Sequence, residues 1–129
     1  MPDVVIDASA LVELLLQGPL ATKLTMSVAD HALHSPATVD ADVLAVLGRL
    51  HRTGDLPKAR VDAMVEALAR APIERHPLAD LLDGAWAMRN KLRIPDALCV
   101  ELARSLDVRM VTTDDRLRGI DVVDVVTVG

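Results

Sequence analysis

The run Leu92-Arg93-Ile94-Pro95-Asp96-Ala97-Leu98-Cys99-Val100-Glu101-Leu102-Ala103 reads as the start of a helix. Pro95 suits the first helical turn, where a missing N–H costs nothing, and the neighbouring Asp96 complements the helix dipole. At helical spacing Asp96 falls on one apolar stripe with Cys99, Val100, Ala103 and Leu106. Its carboxylate therefore points toward the buried side, where an unpaired charge is expensive. An N-cap bond, a protein cation or a metal ion must compensate it.

Working outward, this helix feeds Val108-Arg109-Met110-Val111-Thr112-Thr113, which reads as a strand, followed by a short turn at Asp114 to Gly119 and a last strand over Val122 to Val128. Upstream, Val4-Val5-Ile6 is a short buried strand and Ala10 to Leu16 a helix ended by Gly18-Pro19. A second helix is expected over Leu20 to Ala32, and Leu33 to Pro36 is a strand or connector. Thr38 is expected to cap a helix through Arg52 with the stripe Val39, Val43, Val46, Leu47 and Leu50, closed by Thr53-Gly54-Asp55. Pro57 to Ala71 is a further amphipathic helix with the stripe Val61, Met64, Val65 and Leu68. The two make a helical hairpin, residues 38–71, expected to sit beside the main core. Ile73 to Pro77 is a short strand, and Leu78 to Leu92 is expected as one helix. Strands alternating with helices predict an α/β domain over residues 1–129: three layers, with a central, mainly parallel sheet of four to five short strands.

Composition narrows the chemistry. The chain of 129 residues is 51% hydrophobic with no Phe or Tyr and one Trp, so its core is aliphatic and base-stacking platforms are ruled out. A net charge of −5 excludes a general basic coat for nucleic acid, while leaving room for acids that work through bound cations. The lone Cys99 offers neither a disulfide nor a thiolate metal site and is read as an inert buried thiol. His31, His34, His51 and His76 show no paired metal spacing and are read as surface or structural residues. Trp86 is read as a core or dimer contact. Leu11 to Leu16 is too short to span a bilayer and no basic segment precedes it, so a cytoplasmic, membrane-free chain is expected.

Ligands of parallel sheets sit beyond the carboxyl ends of the strands. Asp7 follows the first strand, Asp114 follows Val108 to Thr113, Asp96 begins the helix leading there, and Asp42 lies on the edge of a helical stripe. Several carboxylates without matching bases suit a hard, oxygen-loving cation. Each acid also has a plainer role: Asp7 or Asp114 as an N-cap, Asp96 as a dipole partner, Asp42 as a solvated acid with Asp40 its rival.

The words Val4-Val5-Ile6-Asp7-Ala8-Ser9-Ala10-Leu11, Pro36-Ala37-Thr38-Val39-Asp40-Ala41-Asp42-Val43-Leu44, Ile94 to Ala103 and Val111-Thr112-Thr113-Asp114-Asp115-Arg116-Leu117 fall in an order and spacing that resembles the PIN-domain ribonucleases. Within these the chain is similar to the small VapC-type toxins of toxin–antitoxin pairs. The resemblance implies a PIN-like fold, with Asp7 and Asp96 as direct metal ligands and Asp42 and Asp114 completing a catalytic acidic pocket. Ser9 and Thr112 would supply hydroxyls near the metal or its waters. Two departures stand out: Asp42 where the family usually carries Glu, and Pro95 where an aromatic residue is frequent. Asp115 is an extra acid, expected in solvent and capping its turn.

The resemblance implies an endoribonuclease that hydrolyses RNA phosphodiesters with Mg²⁺ (or Mn²⁺), leaving 5′-phosphate and 3′-hydroxyl ends. Arg89, Lys91, Arg93 and Arg116 are the candidate RNA contacts. It further implies a cognate antitoxin protein and a homodimer or toxin–antitoxin hetero-oligomer, with an exposed apolar groove along Val12/Leu15 and Val61/Leu68 as a suitable docking surface. The shorter Asp42 lends some support to an alternative, a catalytically weak or inactive PIN-like module that only binds protein. A receiver-type phosphotransfer domain fits worse, because Asp7 stands alone near the first strand and no Lys follows Lys91.

Overall fold

The β-branched run at the amino end builds the centre of the molecule. In the computed structural model, which describes residues 2–120 and 122–129, Asp3–Ile6 (β1) pairs in parallel with Ala32–Pro36 (β2) on one side and Met110–Thr112 (β4) on the other. Ile73–His76 (β3) and Val125–Thr127 (β5) form the edges, giving a five-stranded parallel sheet in the order β3-β2-β1-β4-β5. Met1 and Asp121 lie outside the described residues.

Alternation along β1 divides the core. Val4 and Ile6 face one layer, made by Ala8–Leu16 (α1), Ala21–Val28 (α2), Val39–Arg52 (α3) and Lys58–Arg70 (α4). Val5 faces the other, made by Leu82–Ala87 (α5) and Ile94–Leu106 (α6). The expected α/β/α arrangement with an aliphatic core is what forms. The hairpin of α3 and α4 is not set beside that core: Val39, Val43, Leu47, Met64 and Leu68 are buried in it. Val12, Leu15, Val61 and Leu68 all pack into this cluster, and the apolar groove that is open on this layer runs between α3 and α4, lined by Leu44, Val65 and Leu68.

Several boundaries move for local reasons. α2 stops at Val28 because Asp30 takes a left-handed conformation before β2 begins at Ala32. Thr38 stands at the N-cap of α3 but makes no side-chain cap bond. The single helix expected over Leu78 to Leu92 is broken into a 3₁₀ turn at Ala79–Leu81, the short α5, and a tight turn in which Lys91 and Leu92 bond back to the carbonyl of Met88. Arg93 is then extended, and Ile94 and Pro95 form the first two positions of α6. β4 and β5 are shorter than expected: their ladder runs from Met110↔Val125 to Thr112↔Thr127, leaving Val108, Val122 and Val123 outside. Trp86 is 61% exposed rather than core, with the Arg89 guanidinium 4.8 Å from the centre of its ring. Among the described residues no helix is long and apolar enough to cross a membrane.

Candidate active site

The strand order reverses between β1 and β4, and in an open parallel sheet that switch point opens a crevice at the carboxyl ends of the strands. Asp7 ends β1 there and Asp114 follows β4. α6 brings Asp96 from the opposite layer, and α3 brings Asp42. All four line one cleft of about 330 Å³, together with Ser9, Arg49, Arg93 and Cys99. A larger cavity of about 850 Å³ lies around Pro2, Asp3, Arg104 and Arg109, at the amino ends of β1 and β4. The smaller cleft is the one where the acids converge and where the fold's geometry places ligands.

Asp7 is 5% exposed and fully engaged. One carboxylate oxygen accepts the Ala10 N–H at 3.0 Å, capping α1, and the Ser9 hydroxyl at 2.8 Å; the other accepts the Thr112 hydroxyl. Ser9 and Thr112 also lie 3.2 Å apart, and Thr112 accepts the Asp114 N–H at 3.0 Å. These hydroxyls tie the ends of β1 and β4 together and fix the rotamer of Asp7. The N-cap role and the place in the cleft are thus compatible. Burial pushes the Asp7 carboxyl above the ordinary carboxylate range against these hydrogen bonds, and the Asp96 charge pushes the same way.

Asp42 is half-buried, and burial followed by the Asp96 charge raises its carboxyl too. Its rival is accounted for: Asp40 is held by Arg75 through three contacts of 3.0 to 3.3 Å, and Asp40 does not line the cleft. Asp96 is compensated by a protein cation, accepting from Arg93 Nε at 3.2 Å. The same guanidinium reaches Asp114 at 3.7 Å. Asp114 caps the 3₁₀ turn Asp115–Leu117 by accepting the Arg116 N–H, and its hydrogen bond from the Arg116 side chain pulls its carboxyl below the ordinary range. Capping thus falls to Asp114, while the exposed Asp115 pairs with Arg118. Cys99 is buried, and burial with the charges of Asp7, Asp96 and Asp42 pushes its thiol well up, so it stays protonated beside the acids.

The four bases read from sequence separate. Arg93 lines the cleft and Arg116 pairs with Asp114 at its edge, whereas Arg89 lies over Trp86 and Lys91 is exposed outside the cleft. Arg49 was missed. It lies seven residues, two helical turns, after Asp42 on α3, a spacing that puts both on the same side.

The donor set suits a hard cation: carboxylate oxygens, with no imidazole in the lining and the one thiol held neutral. It is an open arrangement. Among the described residues the one set of three His, Cys, Asp or Glu ligand atoms within 4.8 Å of one another is His34, Glu74 and His76, away from this cleft. Mg²⁺ commonly takes one or two carboxylates and keeps its waters, so wide spacing of the acids does not count against it.

The family profile described as PIN domain matches residues 4–123. Ribonuclease VapC3 of Mycobacterium tuberculosis is 47% identical over 115 residues, covering 88% of this chain and 84% of that protein. Ribonuclease VapC9 of the same species is 33% identical, covering 88% and 87%. Among solved structures, VapBC2 from Rickettsia felis bound to a DNA fragment from its promoter aligns with a TM-score of 0.72 at 10% identity, covering 98% of both chains. A toxin–antitoxin complex from Klebsiella pneumoniae aligns with a TM-score of 0.68 at 18% identity, covering 97% of both. The chain belongs to the PIN-domain family, in its VapC branch.

Proposed function

We propose that this chain is a Mg²⁺-dependent (or Mn²⁺-dependent) endoribonuclease toxin of the cytoplasm that hydrolyses RNA phosphodiester bonds and is neutralised by a cognate antitoxin. The observation that carries this reading is the meeting of Asp7, Asp42, Asp96 and Asp114, drawn from four separate segments, in one cleft at the switch point of the sheet. The ribonuclease names of its relatives and the toxin–antitoxin complexes among its structural neighbours support it.

Asp7 and Asp96 are the residues that would hold the cation. Asp42, one methylene shorter than Glu, would reach it through water, and Asp114 would complete the acidic rim. When bound, Mg²⁺ supplies a nucleophile at neutral pH and stabilises charge on the scissile phosphate. The chain's own groups do the positioning. Ser9 and Thr112 hold Asp7 in one rotamer. Arg93 sits between Asp96 and Asp114 with 62% of its side chain exposed, so it can swing to a phosphate as the acids are neutralised. Arg49 faces the same cleft from α3 and would take a neighbouring phosphate. Leu82, Trp86 and Ile94, all exposed beside this rim, offer an apolar surface for the antitoxin or for a second copy of the chain.

Purified protein incubated with RNA tests the reading. Cleavage with Mg²⁺, its loss in EDTA, and 5′-phosphate ends are expected. Products ending in 2′,3′-cyclic phosphate, or activity unchanged by EDTA, would contradict it. No cleavage of any RNA by folded protein would favour a module that only binds its partner.

A further inference from the structure

We propose that His34, Glu74 and His76 form a zinc-binding site on the β2–β3 edge of the sheet, separate from the acidic cleft. Parallel register sets His34 opposite Glu74 and Pro36 opposite His76, and period-two alternation puts Glu74 and His76 on the same side of the sheet as His34. β1 extends the row, since Val5 pairs with His34 and Asp3 lies two residues earlier on that side. The side chains meet accordingly. His34 Nδ1 is 2.8 Å from His76 Nε2 and 3.4 Å from a Glu74 carboxylate oxygen, and its Nε2 is 2.9 Å from Asp3 Oδ1.

The contact with Asp3 decides what the cluster can do. With the Nε2 proton donated to that carboxylate, His34 Nδ1 accepts from His76 Nε2–H, and a bound ion would take the place of that proton, which shifts to Nδ1 of His76. A carboxylate behind a histidine, fixing its tautomer and orientation, is the usual support of a metal-bound imidazole. Two imidazole nitrogens and one carboxylate oxygen are a zinc donor set, too soft to favour Mg²⁺, with a fourth position left for water. Zn–N bonds of about 2.0–2.1 Å at tetrahedral angles separate donor atoms by about 3.3 Å. The two histidines must therefore part by about half an ångström. His76 lies on an edge strand and Glu74 has 68% of its side chain exposed, so both have room to move. The bound ion would pin β3 to β2.

The test is titration of the protein, freed of transition metals, with Zn²⁺, and with Co²⁺ as a spectroscopic substitute, in excess Mg²⁺ to saturate the acidic cleft. One Zn²⁺ per chain is expected, with the intense visible absorption of tetrahedral Co²⁺ and a rise in thermal midpoint. His76→Ala and Glu74→Ala, at accessible positions, should keep the far-ultraviolet dichroism and lose this binding. Asp3→Asn should weaken it by about tenfold. Zn²⁺ affinity unchanged in His76→Ala, or binding lost instead in Asp96→Asn, would overturn the proposal, as would no binding in excess Mg²⁺. RNA cleavage enters none of these readouts, so the proposal and the nuclease reading can fail separately.

Discussion

The acidic cleft and the imidazole cluster are built from different chemistry and by different parts of the fold. The cleft gathers hard oxygen ligands from the ends of β1 and β4 and the starts of α3 and α6; its acids are spread out, and two of them, Asp96 and Asp114, are paired with arginines. The His34–Glu74–His76 cluster gathers nitrogen from neighbouring strands and is tight enough for direct contact. Loop and helix-end positions yield an adjustable site, suited to a cation that must also accommodate a substrate. Strand register yields a closer-set one, suited to holding the sheet edge. Three substitutions set the two apart.

Asp7→Asn and Asp96→Asn should each reduce RNA cleavage by about a thousandfold, equivalent to about 4 kcal/mol of transition-state stabilisation. His76→Ala should leave Mg²⁺-dependent cleavage within about twofold of the parent, far less than one tenfold step of about 1.4 kcal/mol. Equal losses from both clusters in initial-rate assays would erase the distinction.

Asp42→Ala should cost about 10- to 100-fold in cleavage, the range expected when a supporting carboxylate is removed. Asp40→Ala, two residues away, should leave cleavage intact. It would lower stability by about 1 kcal/mol at most in chemical denaturation, because it removes the carboxylate paired with Arg75 at a partly exposed site while the bonds of Arg75 to the Leu68, Ala71 and Ile73 carbonyls remain. The reverse pattern would mean that the two acids have been assigned to the wrong roles.

Arg49→Ala should raise KM for RNA by about tenfold with little change in kcat, and should flatten the salt dependence by about one phosphate contact. A fall in kcat alone would move Arg49 from substrate grip to chemistry.

The smallest effect concerns stability. The Asp7 carboxyl is raised in the fold, so between its unfolded and folded values the native state holds more protons. Native stability therefore falls as pH rises through that window, from about 4 upward. At neutral pH the metal-free Asp7→Asn protein should melt about 3 °C higher than its parent, with the gap closing toward pH 4. If that variant were instead less stable at every pH, the hydrogen bonds of Asp7 to Ala10, Ser9 and Thr112 would outweigh the cost of its buried charge.

Most of the acidic cleft was readable because each acid is marked by its local context. Asp7 and Asp114 close strands, and Asp96 opens a proline-marked helix; topology then brings these places together. Asp42 could not be separated from Asp40 that way, because only the position of Arg75 on β3 settles which acid is engaged elsewhere. Arg49 is marked by the same local context, because it stands two helical turns after Asp42 on α3.

His34 and His76 were not. They stand 42 residues apart, and their meeting depends on the β2–β3 register, which no local signal fixes. The break in the helix expected over 78–92 had no such local sign, since Gly84 lies inside α5 and not at either end of it. What Gly84 marks is packing: a side chain there would strike the carboxylate of Glu101. That close approach between α5 and α6 is tertiary, and spacing within one segment cannot reveal it.

The central claim is that distant aspartates share one hard cation. Mg²⁺ calorimetry without RNA, on the parent and on Asp96→Asn, tests it most directly. Saturable Mg²⁺ binding by the parent and its loss in Asp96→Asn are predicted. Equal Mg²⁺ binding by the two proteins would contradict it.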